Sequence, residues 1–236
     1  MSKDVPLVLV PGLLADRTTW RAQIAYFEDR YEMIVPTEHY REPTIAAMAD
    51  HLLEVLPERF ALVGWSMGGY ISFEIMRKAA SRVTRLALVS TSARNDAPEN
   101  AQSRYESIRV AREQGPAVAW RDKLGQGFHR PDKLPPDYVA ELAAMNDRLG
   151  ADIYESQQKA IMSRPDRRDV LASITCPTII ICGTHDRWTP PIYSWEIASG
   201  VVGSELHLIA ECSHCSPIED PASVNALLRG WLQRSA

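Results

Sequence analysis

Phe60-Ala61-Leu62-Val63-Gly64-Trp65-Ser66-Met67-Gly68-Gly69-Tyr70-Ile71-Ser72-Phe73-Glu74-Ile75-Met76 is the stretch that decides the fold of this chain. Its apolar start reads as a buried strand, its centre as a sharp turn, and the run from Tyr70 as a helix. Strand, Gly-x-Ser-x-Gly and helix together form a nucleophile elbow, which holds a serine above the sheet on a turn too tight for neighbouring side chains. Gly64 and Gly68 stand two before and two after Ser66. Glycine tolerates both close backbone approach and positive φ. The helix that follows directs its positive end toward the serine hydroxyl. The competing reading is a Gly-rich turn for phosphate. It lacks its signatures, since the chain has neither G-x-G-x-x-G nor G-x-x-x-x-G-K-[ST].

Outward from the elbow, strand-like runs alternate with helix-period runs. Strands are read at 7–10, 33–35, 60–64, 86–89, 178–182 and 206–209. Between them Trp20, Ile24 and Phe27 recur at helical spacing, as do Ile45, Met48, Leu52 and Val55. The last helix carries Val224, Leu227, Leu228, Trp231 and Leu232 on one stripe, with Asp220 as N-cap and Pro221 at its first position. Strands flanked by helices imply an α/β fold, with an open, mostly parallel sheet of about six strands and helices on both faces. An apolar run such as Thr178-Ile179-Ile180-Ile181-Cys182 fits a sheet buried on both sides. One segment breaks the alternation. Residues 95–164 contain no strand-like run, only helical patterns near 101–114, 117–124, 136–149 and 152–162. The expectation is a core of residues 1–94 and 165–236, with 95–164 as a small helical cap. The cap lies over the strand ends where open α/β sheets bind ligands.

The chain has 236 residues, 45% hydrophobic and 24% charged, with a net charge of −4. That is the composition of one ordinary globular domain, and it argues against nucleic-acid or membrane partners. The apolar run Val5-Pro6-Leu7-Val8-Leu9-Val10 is too short to span a bilayer, and no signal-peptide pattern follows it. A cytoplasmic protein is therefore expected. Four cysteines do not make a disulfide scaffold. Cys212-Ser213-His214-Cys215 has no second ligand pair for zinc, so no metal and no cofactor are expected and the thiols read as small buried side chains.

A serine hydroxyl needs a base to take its proton, and the base needs an acid to hold its tautomer. Behind an elbow of this kind the order is Ser, then Asp or Glu, then His. His214 follows the last strand and precedes the last helix. Asp186 sits in the loop after the penultimate strand, where Thr189 and Pro190 read as the N-cap and first position of the next helix. Asp96, after the strand at 86–89, is the rival acid. His39, His51, His129, His185 and His207 lack the placement of a base, although His39 and His185 are expected near the pocket. An oxyanion requires two backbone N–H donors, for which the positions are Met67 and Leu13.

Val8-Leu9-Val10-Pro11-Gly12, the elbow, Arg82-Val83-Thr84-Arg85-Leu86-Ala87-Leu88-Val89, Cys176-Pro177-Thr178, the Asp186 loop and His214 resemble the α/β-hydrolase superfamily, in its compact esterase, lactonase and C–C hydrolase branch. The resemblance implies a triad of Ser66, Asp186 and His214, an oxyanion hole at Leu13 and Met67, and a small-molecule ester or lactone substrate. The chain departs from the pattern in carrying Pro11-Gly12 where His-Gly is usual. Residues 36–43 replace an Asp-x-x-Gly-x-Gly loop. C–C bond hydrolases, cofactor-free perhydrolases and some ligand receptors share the same fold and triad, so these readings stay open at the level of sequence.

Overall fold

Six strands build the sheet: β1 (Asp4–Val10), β2 (Tyr31–Ile34), β3 (Phe60–Trp65), β4 (Val83–Val89), β5 (Thr178–Gly183) and β6 (Glu205–Ile209). The computed structural model describes residues 4–121 and 123–234. Every neighbouring pair is parallel, in the order β2-β1-β3-β4-β5-β6. The α-helices in chain order are α1 (Arg21–Phe27), α2 (Ile45–Val55), α3 (Met67–Ala79), α4 (Ala101–Gln114), α5 (Pro116–Arg121), α6 (Leu124–Gly127), α7 (Pro136–Met162), α8 (Pro191–Gly200), α9 (Ser216–Glu219) and α10 (Pro221–Leu232).

The two-residue period of the strands divides the core into two layers. Val8, Val10, Leu62, Leu88 and Ile180 pack with α2, α3 and α8. Leu7, Leu9, Val63, Val89 and Ile181 pack with α1 and α10, through Ile24, Leu228 and Trp231, and with Trp20 just ahead of α1. Burial on both faces explains why β3 and β5 read as continuous apolar runs. Local signals set the helix starts. Thr44 caps α2 by accepting from the Ala47 N–H (3.1 Å), and Asp220 caps α10 by accepting from the Ser223 N–H (3.0 Å). The α2 stripe ends a turn earlier than its spacing suggests, because Val55 is exposed while Ile45, Met48 and Leu52 are buried. Likewise α8 begins at Pro191 with Pro190 as its cap residue, one position later than expected, so Thr189 is not the N-cap.

β1 connects to β2 on one side of itself, while β3 lies on the other. This reversal opens a crevice at the carboxyl ends of β1 and β3, the place where doubly wound sheets bind ligands. Between β4 and β5 no strand occurs among the described residues, and α4–α7 occupy the interval. The two expected helices at 136–149 and 152–162 are present as the two halves of α7, separated at Gly150, where φ is 85° and ψ is 166°. The expected helix at 117–124 is two short ones, α5 and α6.

Candidate active site

Ser66 stands between β3 and α3 with φ 54° and ψ −116°. Positive φ costs a non-glycine residue ~1–3 kcal/mol and persists only where the surroundings enforce it. Here the Ser66 N–H donates to the Val89 carbonyl (2.9 Å), and Thr91 Oγ1 donates to the Ser66 carbonyl (2.8 Å). The flanking glycines serve close approach alone, since neither has positive φ. A Cβ on Gly64 would strike Ser72 Oγ and the Gly68 carbonyl, and one on Gly68 would strike the carbonyl of Val10. The first turn of α3 is thereby pressed onto the end of β1, bringing Gly12 and Leu13 beside Ser66.

His214 Nε2 lies 2.8 Å from Ser66 Oγ. Its Nδ1 lies 3.0 and 2.9 Å from the two carboxylate oxygens of Asp186. Asp186 also accepts from the N–H groups of Trp188 and Thr189 (both 2.9 Å) and from Thr189 Oγ1 (2.8 Å). Burial alone would raise its pKa. The charge and hydrogen bond of His214, with the Thr189 donors, outweigh burial and hold the carboxyl below its usual range. Trp65 Nε1 donates to the His214 carbonyl (3.0 Å), which ties the histidine loop to the end of β3. Asp96, the rival acid, does not reach His214. Arg104 binds it at 2.7 and 2.9 Å and Arg164 at 3.1 Å, and against its burial these guanidiniums keep it ionised.

Leu13 follows the end of β1 and Met67 opens α3. Neither N–H has a protein acceptor among the described residues, whereas the next one, from Leu14, donates to Gln157 Oε1 (2.7 Å). Leu13, Ser66 and His214 line one cavity of about 340 Å³, with Asp186 behind the histidine ring. Ser66 Oγ, an adjacent base and two unused N–H donors are the parts that acyl transfer requires.

The profile of the alpha/beta hydrolase family matches residues 7–227. The chain belongs to that family. It is 23% identical to a pimeloyl-[acyl-carrier protein] methyl ester esterase of Vibrio vulnificus (strain YJ016), over 92% of this chain and 90% of that protein. It is 24% identical to a putative carbamate hydrolase, RutD, of Escherichia coli O127:H6, over 97% of this chain and 92% of that protein. Among solved structures, a thermophilic esterase from Thermogutta terrifontis superposes with a TM-score of 0.86 at 28% identity, covering 99% of this chain and 91% of that one. An enol-lactonase from Burkholderia xenovorans LB400 superposes with a TM-score of 0.83 at 23% identity, covering 98% and 92%. The chain is thus a hydrolase enzyme with the α/β-hydrolase fold.

Within this alpha/beta hydrolase the large side chains between β4 and β5 take different places. Arg104 and Trp120 line the cavity. Tyr138 lies under Arg21, Phe128 is packed in the core, and Arg109 is paired on the surface with Glu106 and Glu113. His39 is fully buried and His185 exposed; neither lines the cavity. Lys123, Tyr154, Gln158 and Arg187 do, although no periodic signal marks them. All four cysteines are free thiols. Burial, then the charge of Asp186, pushes Cys182 up to about 12, and burial raises Cys212 and Cys215 as well, so the C-x-x-C pair is held in its unreactive thiol form. Among the described residues only His129, His185 and Glu211 have metal-like proximity, with ligand atoms within 4.8 Å of one another. They stand outside the cavity. Among the described residues no helix is long and apolar enough to cross a membrane.

Proposed function

We propose that this hydrolase cleaves a small ester or lactone through an acyl-enzyme on Ser66. The observation that carries the reading is the unbroken contact chain from Ser66 Oγ through the His214 ring to Asp186. Asp186 accepts from Nδ1–H, so the Nε2 lone pair is left facing the serine. Ser66 Oγ attacks the acyl carbon as its proton passes to Nε2. The carbonyl oxygen gains charge and is held by the N–H groups of Leu13 and Met67. His214 then gives the proton to the leaving alcohol, and a water, deprotonated by the same nitrogen, releases the acid. Asp186 remains ionised throughout and stabilises the imidazolium.

The relatives above are named for methyl esters, carbamates and lactones, each with an acyl carbonyl that such a site can attack. Residues 95–164 serve as the cap. They supply Arg104, Trp120, Lys123, Tyr154 and Gln158 to the cavity wall, and so set acyl-group preference. A fluorophosphonate should form a single adduct, located on Ser66 by peptide mass mapping. Ser66→Ala should lower turnover of p-nitrophenyl esters by about 10⁴-fold or more. An adduct on another serine, or an active Ser66→Ala protein, would overturn the assignment.

A further inference from the structure

The charges lining the cavity are of one sign. Arg104, Lys123 and Arg187 face it, and among the described residues no carboxylate does. The chain as a whole carries −4, so this is a local arrangement rather than a basic surface. Arg104 is partly neutralised by Asp96, but Asp96 also serves Arg164, so one carboxylate answers two guanidiniums. Lys123 has no ion pair among the described residues. Burial first, and then the charge of Arg104, pull its pKa below the usual lysine range. A desolvated ammonium without a counter-ion is costly, and an arriving anion relieves that cost. Arg187, beside Asp186 in the loop after β5, is also unpaired among the described residues and stands at the exposed rim.

We propose that the substrate is an ester or lactone bearing a free carboxylate away from the scissile carbonyl, bound by Lys123 inside the cavity with Arg187 at its mouth. This inference rests on the hydrolase reading of Ser66 and names the substrate class of that site. Lys123 offers three donors on a flexible stem, which suits a carboxylate reached across an acyl chain. The single sign of the lining raises the local concentration of anionic esters and excludes cationic ones. A cavity of about 340 Å³ limits the pair of groups to a small molecule.

The test compares two length-matched probes, methyl hydrogen adipate and dimethyl adipate, with thermal melts establishing that each variant is folded. The wild type should favour the half-ester in kcat/KM by between about 10- and 100-fold, as for hydrogen bonds to a charged group, with the preference shrinking as salt rises. Lys123→Gln should collapse that ratio, chiefly through KM of the half-ester. Arg109→Gln removes a cap arginine outside the cavity, and the ratio should persist. If wild type hydrolyses dimethyl adipate in a Ser66-dependent way without preferring the half-ester, or keeps the preference in Lys123→Gln, the carboxylate site is overturned while the hydrolase reading stands. If folded wild type turns over neither probe nor aryl esters, the hydrolase reading fails and this inference fails with it.

Discussion

At the scale of single residues, two aspartates compete for one role, and their partners separate them. Asp186 touches Nδ1 of His214 with both oxygens, while Asp96 is held between Arg104 and Arg164. Asp186→Asn keeps the shape but favours the wrong imidazole tautomer, so kcat should fall by roughly 10⁴-fold with little change in melting temperature. Asp96→Asn should have the opposite signature. It leaves two guanidiniums short of a counter-ion, lowering stability by about 1–3 kcal/mol with a minor effect on kcat. Steady-state kinetics and urea unfolding of both variants check this, and the reverse ordering would move the acid to Asp96. The meeting of Ser66 and His214 was legible in the sequence because a tight turn restricts which residues flank the serine and because chain order puts this histidine after the last strand. Asp186 was legible only as one of two candidates, since a loop carboxylate carries no mark of what it will face. Thr189 was misread as a helix cap, yet its N–H and hydroxyl both bind Asp186. Lys123 and Arg187 were not legible as cavity residues, because only the fold brings them to one wall, whose lining among the described residues holds no carboxylate.

At the scale of elements, every expected strand is present, most of them longer than their apolar centres. Tyr31 of β2 and Val83 to Arg85 of β4 extend beyond the runs that marked them. The sheet was readable because burial on both faces demands uninterrupted apolar residues. The helices of residues 95–164 were readable in number but not in direction, because periodicity places a break near 150 and says nothing of the angle between the two stripes. Gly150 supplies that break. Its φ of 85° and ψ of 166° lie in a region open essentially to glycine alone, and no atom crowds the position where a Cβ would stand. The constraint is conformational rather than steric. Beyond the break, Gln157 accepts from the Leu14 N–H and Gln158 accepts from Arg104, so the direction of this half of α7 shapes the cavity wall. Gly150→Ala should cost about 1–3 kcal/mol or drive the two halves toward one straight helix, which alanine favours over glycine. Either response displaces Tyr154 and Gln158, so KM should rise more than kcat falls, and amide exchange should quicken across residues 101–162. Unchanged melting temperature and KM would show that the break tolerates a side chain.

At the scale of the whole molecule, acid stability should depend on one histidine that takes no part in the chemistry. His39 is 0% exposed, and neither ring nitrogen has a hydrogen-bond partner among the described residues. It lies in the short turn Glu38–Arg41, packed against α2 and α7, so it joins those two helices. Its ring meets Tyr40 edge-on at 4.8 Å, and the Tyr40 hydroxyl donates to the Ala15 carbonyl (2.6 Å). Burial pushes the His39 pKa down from 6.5 to about 4; the carboxylate of Glu38 acts against this, and the imidazole of His51 acts with it. The sign follows from proton binding. Between these two values the unfolded chain binds a proton that the folded one does not, so acid favours unfolding. The stability is full above about pH 6.5, declines as the pH falls toward 4, and by then has lost ~3 kcal/mol. Asp16, Asp96 and Asp186 are all held below the usual 3.8, so their contributions are lost only as the pH falls below that value. The windows therefore separate. Urea midpoints at pH 7.5, 5.5 and 4.5 should fall progressively for the wild type. His39→Leu, a change of similar volume that removes the titrating ring, should stay nearly level over the same range and start within about 1.5 kcal/mol of the wild type at neutral pH. A parallel fall in both proteins would assign the acid lability to the carboxylates instead, and would mean that the buried imidazole acquires its proton without loosening the turn from α2 and α7.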